Sequence, residues 1–184
     1  MVAFIIFLII MSFTPGPNTI LAMDSGQKNG FRKSIPYNLG IGAGVIGVGL
    51  VAMCLGEFIK SNTFFITMMK IIGSAYLLYL AYHVFLSQPV KDEDKQDAGF
   101  QQAFFLQFSN IKTYLYAITS FTGFSVFSDL PFIKLLLLAL IGMIGTFLWT
   151  IGGSLMKAVY NHYYRIFNSV IALLLVFSAY DLWH

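Results

Sequence analysis

Two short stretches of this chain place polar or helix-breaking residues inside long apolar runs. In the first stretch, two prolines remove helix N–H donors, so backbone groups are left free at a depth where lipid cannot bond them. The second stretch has a lysine near the middle of an apolar run, which costs about 2.5–3.5 kcal/mol on insertion scales, so its side chain should face the protein interior. The residues concerned are Thr14, Pro15, Gly16, Pro17 and Asn18 in the first stretch and Gln107, Asn110 and Lys112 in the second.

These residue types suit the binding of a small zwitterion or organic acid. The Lys112 ammonium could pair with a substrate carboxylate, while the Asn18 amide and the freed backbone could bind other polar groups. Proton exchange at Lys112 would then offer a way to couple transport to a proton as counter-ion. A structural alternative remains open, in which the first stretch is a kink supported by neighbouring helices and Lys112 snorkels or binds the free carbonyls there.

Asp24 and Arg32 are candidates for a gate or for proton coupling. Asp24 lies near the end of the first apolar run, where an interfacial carboxylate is the simpler interpretation and a substrate-amine or proton site is the alternative. Arg32 follows a turn and is expected mainly to orient the chain in the membrane, with a gate contact as a second role.

The elements that must position these residues are transmembrane helices. The 184 residues are 58% hydrophobic and 10% charged, far below the roughly 25% charged residues of soluble domains. Apolar runs of about 20 residues recur, each long enough to cross a bilayer. The sequence therefore predicts an all-α, polytopic protein in the lipid bilayer with six transmembrane helices, at residues 3–25, 37–57, 65–86, 101–124, 132–156 and 164–182.

The chain divides into two halves of similar pattern. A constant offset pairs Phe13 with Phe108 and Ser74 with Ser169, and each half has three predicted spans. Because three is odd, the copies would be inverted, as in many secondary transporters whose sites lie where broken helices meet. We expect a first three-helix repeat at 1–86, a charged cytoplasmic linker at 87–100 and a second repeat at 101–184.

Basic residues between the predicted spans indicate the orientation. The three odd loops contain seven of them and the other side contains three, which favours cytoplasmic odd loops and both termini outside. The seven are Lys28, Arg32, Lys33, Lys91, Lys95, Lys157 and Arg165, and the three are Lys60, Lys70 and Lys134.

Other function classes find little support in the sequence. The single cysteine, Cys54, allows neither a disulfide framework nor a cysteine-based metal site, and we expect no cofactor and no metal. The basic residues are explained by membrane orientation, so nucleic acid is not expected as a partner. An intramembrane enzyme would need paired catalytic groups at one depth, and an ion or metal exporter would need carboxylates or thiols within the spans. The residues leave the oligomeric state open, including a homo-oligomer.

The two polar stretches together resemble the LysE/RhtB family of amino-acid exporters. The family usually has asparagine–proline–lysine in the second stretch, whereas Ile111 replaces the proline here, which is similar to the cysteine/O-acetylserine exporter branch. The resemblance covers essentially the whole chain. It rests on residues 14–18, 30–32 and 106–112, on Gly40 and Gly44, on Leu115 and Tyr116, and on residues 141–147.

The resemblance implies a small exporter in the cytoplasmic membrane that moves amino acids or their derivatives outward, driven by the proton gradient. It supplies the direction of transport. Since no paired catalytic groups are evident in the predicted spans, we expect a transporter and not an enzyme. The residues by themselves indicate only a transporter whose centre is compatible with a carboxylate.

Overall fold

The computed structural model describes residues 1–88 and 99–183, which form eight α-helices, one short 3₁₀ helix and no strand. Most of the predicted linker at 87–100 therefore lies outside the described residues. The helices are α1 (Val2–Phe13), α2 (Pro17–Asn29), α3 (Ile35–Ser61), α4 (Thr63–Leu86), α5 (Phe100–Ser109), α6 (Ile111–Thr122), α7 (Pro131–Leu155) and α8 (Lys157–Asp181), with the 3₁₀ helix at Arg32–Ser34 before α3.

Helix number differs from the prediction because two of the six predicted spans are broken. The span at 3–25 is divided into α1 and α2, and the span at 101–124 into α5 and α6. The other four predicted spans correspond to α3, α4, α7 and α8. The last of these begins at Lys157 rather than 164, and the non-helical backbone of Tyr163 marks the kink just before the predicted start.

Among the described residues, four helices are long and apolar enough to cross a membrane, and α1 with α2 raises the number to five if the pair, bent by 50°, counts as one span. Helices α5 and α6, of 10 and 12 residues, are each shorter than the roughly 20 residues a crossing needs. The all-helical, membrane-type architecture is thus confirmed, while six crossings and their inverted arrangement stay predictions.

Large apolar side chains point in two directions. Phe4, Leu8, Ile41, Leu138 and Leu175 are fully buried between helices and form the core. Many others cover the outer faces, which is the arrangement expected where the surrounding solvent is lipid rather than water.

Glycines bring the helix backbones close together. A Cβ atom at Gly40 or Gly44 would overlap backbone oxygens of α5, so these two helices are in near backbone contact. The same holds between α2 and α7, where a Cβ at Gly26 would overlap the Thr150 carbonyl and one at Gly153 the Met23 carbonyl. The two broken segments are thereby fixed against α3 and α7.

Candidate binding site at the two helix breaks

The first break lies between α1 and α2 and consists of residues 14–16. Pro17 is the first helical residue of α2, where its missing N–H costs nothing and its fixed φ suits the helix. Gly16 is extended, with φ −176° and ψ 179°. Its N–H donates to the Thr19 hydroxyl oxygen at 2.9 Å, and that hydroxyl donates back to the Gly16 carbonyl at 3.0 Å.

Two carbonyls where α1 ends are bonded by side chains from other helices. The Lys112 ammonium of α6 donates to the Thr14 carbonyl at 2.8 Å, and the Trp149 indole N–H of α7 donates to the Phe13 carbonyl at 3.3 Å. The Lys112 contact is the one expected of the structural alternative. The same contact leaves the Lys112 ammonium at the wall of a cavity. It is therefore compatible with substrate binding as well, and the binding role stays a prediction.

The second break consists of one residue, Asn110, with φ −96° and ψ 100° between α5 and α6. Its side-chain oxygen accepts the backbone N–H of Lys112 at 3.1 Å, which caps the start of α6. Asn110 thus ends one helix and begins the next without a proline.

Amide side chains join the two breaks. Asn18 donates to the Gln107 side-chain oxygen at 2.8 Å, and Gln107 donates back to the Asn18 oxygen at 3.0 Å. Asn110 donates to the same Asn18 oxygen at 3.0 Å, and the Thr113 hydroxyl donates to Gln107 at 3.0 Å. The three amides expected at the site are therefore neighbours, and in this conformation they bond mainly to one another.

Two cavities adjoin the breaks and share Met11, Gly16, Asn110 and Lys112 in their walls. The larger one has a volume of about 660 Å³ and is also lined by Pro15 and Pro17, whereas the smaller one has about 40 Å³ and is lined by Asn18. Small-molecule sites commonly measure about 300–1,000 Å³, so only the larger cavity has room for an amino acid. Gln107 is fully buried behind them.

The larger cavity contains two charged residues that the sequence analysis did not assign to a site. Asp181 is the last residue of α8 and Lys70 lies in α4, and both line the same cavity as Lys112. The Lys70 ammonium also lies 5.8 Å from the centre of a Trp183 ring. No local sequence signal connects these residues with Lys112, because only the packing of α4 and α8 beside the first break brings them together.

Asp24 and Arg32 lie away from the breaks. Asp24 is six residues after Asn18 on α2, about 9 Å along the helix axis. It forms an ion pair with Lys28 and lines a separate cleft. Arg32 is exposed in the 3₁₀ helix and lines neither cavity at the breaks. Within residues 1–88 and 99–183, no three histidine, cysteine or acidic side chains are grouped as metal ligands.

Comparison with known proteins adds a family and several relatives. The family model for the LysE type translocator matches residues 9–184. The chain is 36% identical to the cysteine/O-acetylserine efflux protein of Salmonella typhimurium, and the match covers 96% of this chain and 94% of the relative. It is 34% identical to the protein of the same name from Escherichia coli strain K12, with the same coverage. No solved structure matches the chain significantly.

Proposed function

Because the chain belongs to the LysE type translocator family, we propose that it is a secondary-active exporter of amino acids or their derivatives across the cytoplasmic membrane. The relatives named as cysteine/O-acetylserine efflux proteins suggest small polar amino acids of that kind as cargo. Secondary-active export needs binding and a conformational change but no step that breaks a covalent bond. The proposed function is therefore that of a transporter and not of an enzyme.

The observation that carries this proposal is the Lys112 ammonium at the wall of the 660 Å³ cavity. Among the described residues it donates one hydrogen bond, to the Thr14 carbonyl, which leaves two of its three donors for a substrate carboxylate. The start of α2 lies at the same wall, and its helix dipole also favours a negative group.

The other end of a bound zwitterion would meet Asp181. This carboxylate lines the same cavity as Lys112, so an amino acid could place its carboxylate near α6 and its ammonium near the end of α8. Pro15, Gly16 and Pro17 would form the backbone wall, with Asn18, Gln107 and Asn110 as the polar layer behind it. The remaining wall is mostly apolar, including Leu115, and would accept the substrate side chain.

The proposed architecture has six crossings, with α5 and α6 together as the fourth. Residues 1–86 and 101–184 would be inverted three-helix repeats joined by a cytoplasmic linker, and both termini would lie outside. The occurrence of a break in the first span of each half supports this arrangement. Proton coupling, with Lys112 or Asp24 as the proton carrier, belongs to the same proposal, and a homo-oligomer stays open.

Transport in reconstituted vesicles tests the function directly. Purified protein is placed in vesicles loaded with labelled cysteine, O-acetylserine, lysine or threonine, and efflux is followed with and without a proton gradient. We expect efflux of cysteine or O-acetylserine above protein-free vesicles, increased by the gradient. Absence of efflux for every amino acid, from protein shown to be folded, would refute the proposal.

A further inference from the structure

A second polar cleft lies toward the other end of α2 from the breaks. It has a volume of about 310 Å³ and is lined from α2, α3, α4 and the start of α5. Its polar residues include Asp24, Lys28, Tyr37, His83 and Gln102. None of these residues lines the two cavities at the breaks. The cleft is large enough for an amino acid and is separate from the site already described.

Asp24 has an unused hydrogen-bond acceptor in this cleft. The residue is only 7% exposed, and its Oδ2 atom accepts from the Lys28 ammonium at 2.8 Å. Its Oδ1 atom is buried and has no hydrogen-bond partner among the described residues. Buried carboxylate oxygens are almost always bonded, because the cost of removing them from water is otherwise uncompensated. The arrangement therefore indicates a donor that enters the cleft.

Donors for a negative group lie beside this acceptor. An ammonium has three donors, and the Lys28 side chain uses one of them on Asp24 in the part of the chain the structure describes. Tyr37 is 5% exposed, and no hydrogen bond of its hydroxyl is found there either. The cleft thus places a carboxylate oxygen that accepts no hydrogen bond close to donors that are not used.

We propose that this cleft is a second binding site for a zwitterionic amino acid, in which the ligand's ammonium donates to Asp24 and its carboxylate accepts from Lys28 and Tyr37. The identity of the ligand as an amino acid rests on the proposed function. A simple cation would lie beside the Lys28 ammonium and a simple anion beside the Asp24 carboxylate, whereas a zwitterion matches both charges. Asp24 and Lys28 are one helical turn apart on α2, which suits a ligand whose two charges are close together.

This site gives the substrate two positions along one helix. From Pro17, beside the larger cavity, to Lys28 is eleven residues, or about 16 Å along the axis of α2. Asn18 and its hydrogen-bonded amides lie at the end near the breaks, and Asp24 lies in the second half of the helix.

The test measures protection of a thiol placed in the cleft. Gln102 lines the cleft and is exposed, so Gln102→Cys in a Cys54→Ser background should react with a maleimide in lipid nanodiscs. We expect O-acetyl-L-serine to slow this reaction, about twofold at half-saturation by mass action. N-acetyl-L-serine has the same composition but no ammonium, and it should give no protection. This comparison alters neither Asp24 nor Lys28, so it is informative even if variants at those positions fail to fold.

Variants then separate the two sites. Asp24→Asn and Lys28→Met should abolish protection, while Lys112→Ala should preserve it. Native Cys54 lines a different cavity, and its reaction in the otherwise unchanged protein should not respond to O-acetyl-L-serine.

Three results would overturn the second site. They are equal protection by the two acetylserine isomers, protection that persists in a folded Asp24→Asn variant, and loss of protection in Lys112→Ala. If vesicle efflux is normal and O-acetyl-L-serine does not protect the thiol, the proposal of a second site is refuted and the proposed function stands. If neither efflux nor protection is found, both are wrong.

Discussion

The two helix breaks solve the same problem with different residues. The first break extends over three residues next to a proline, bends the helix pair by 50° and relies on Lys112 and Trp149 to bond the carbonyls that α1 leaves free. The second break is a single residue, Asn110, whose own side chain caps the next helix. The carbonyls at the first break are thus bonded from α6 and α7, whereas the start of α6 after the second break is capped by Asn110 itself.

Lys112 connects the two breaks, because it forms a hydrogen bond with each of them. Its backbone N–H is capped by Asn110 in the second break, and its side chain bonds the first break. A substrate carboxylate that binds the other two donors of the Lys112 ammonium would pull on the same side chain that bonds the Thr14 carbonyl. Binding could in this way loosen the first break while the second stays unchanged.

Substitutions of Lys112 should give the largest effect and test that dependence most strongly. Lys112→Ala and Lys112→Met remove a charge-assisted contact of about 1.5–3 kcal/mol, so export per folded molecule should fall roughly ten- to hundredfold. Lys112→Arg should retain part of the activity, because its planar head keeps the charge but not the shape. The measurement is vesicle efflux divided by folded protein. Losses fully explained by lower folded protein would leave Lys112 with a structural role only.

Asn110→Ala should have the next largest effect, and it acts on stability. It removes the cap of α6 and the hydrogen bond to Asn18, which together should cost about 1–3 kcal/mol. Asn110→Asp is the matched control, because it keeps the capping oxygen and loses the donor to Asn18. Melting temperatures in detergent should rank wild type, aspartate, alanine from highest to lowest. An unchanged melting temperature for alanine would show that the second break is not held by its cap.

Gly16→Ala should have a smaller effect and sharpen the role of the first break. The extended backbone of Gly16 suits any residue, but an added Cβ would lie 3.0 Å from the Lys112 Cδ and Nζ atoms. The lysine head must shift, and a weakened contact of roughly 0.5–1.5 kcal/mol would lower efflux about two- to tenfold. The melting temperature should change little. A large drop in melting temperature with normal efflux per folded molecule would contradict this account.

Ile111→Pro should have the smallest effect and would make the second break resemble the first. Ile111 is the first residue of α6, where a proline is well tolerated, and Asn110 already has a ψ of 100°, as a residue before proline requires. We expect stability within about 1 kcal/mol of wild type and near-normal efflux. Severe loss of folded protein would mean that the Ile111 N–H or side chain has a role not evident from the helix start.

Features that depend on local chemistry could be predicted from the sequence. The consecutive Pro15, Gly16 and Pro17 disfavour a continuous helix, and the break was found there. The polar group at 107–112 was expected opposite that break, and Asn18 does bond Gln107 and Asn110. The ion pair of Asp24 with Lys28 also follows a local rule, since residues four apart on a helix are neighbours, but it was not predicted.

Features that depend on tertiary packing could not be predicted. Asp181 is more than sixty residues from Lys112 in sequence, and only the position of α8 beside the first break brings both to one cavity. The hydrogen bond from Lys112 to the Thr14 carbonyl was one of two open alternatives, because sequence spacing does not fix which free group a long side chain reaches.

The glycine contacts between helices divide the protein into mechanical units. Because a backbone oxygen of each helix fills the space beside a glycine of the other, α2 and α7 cannot slide past each other by a residue without driving a Cβ into a carbonyl. Helices α3 and α5 are also in close contact, since backbone oxygens of α5 fill the space beside Gly40 and Gly44 of α3. We therefore expect a rocking motion to occur between these two pairs of helices, where it would have to break or reorient the hydrogen bonds between Asn18 and Gln107.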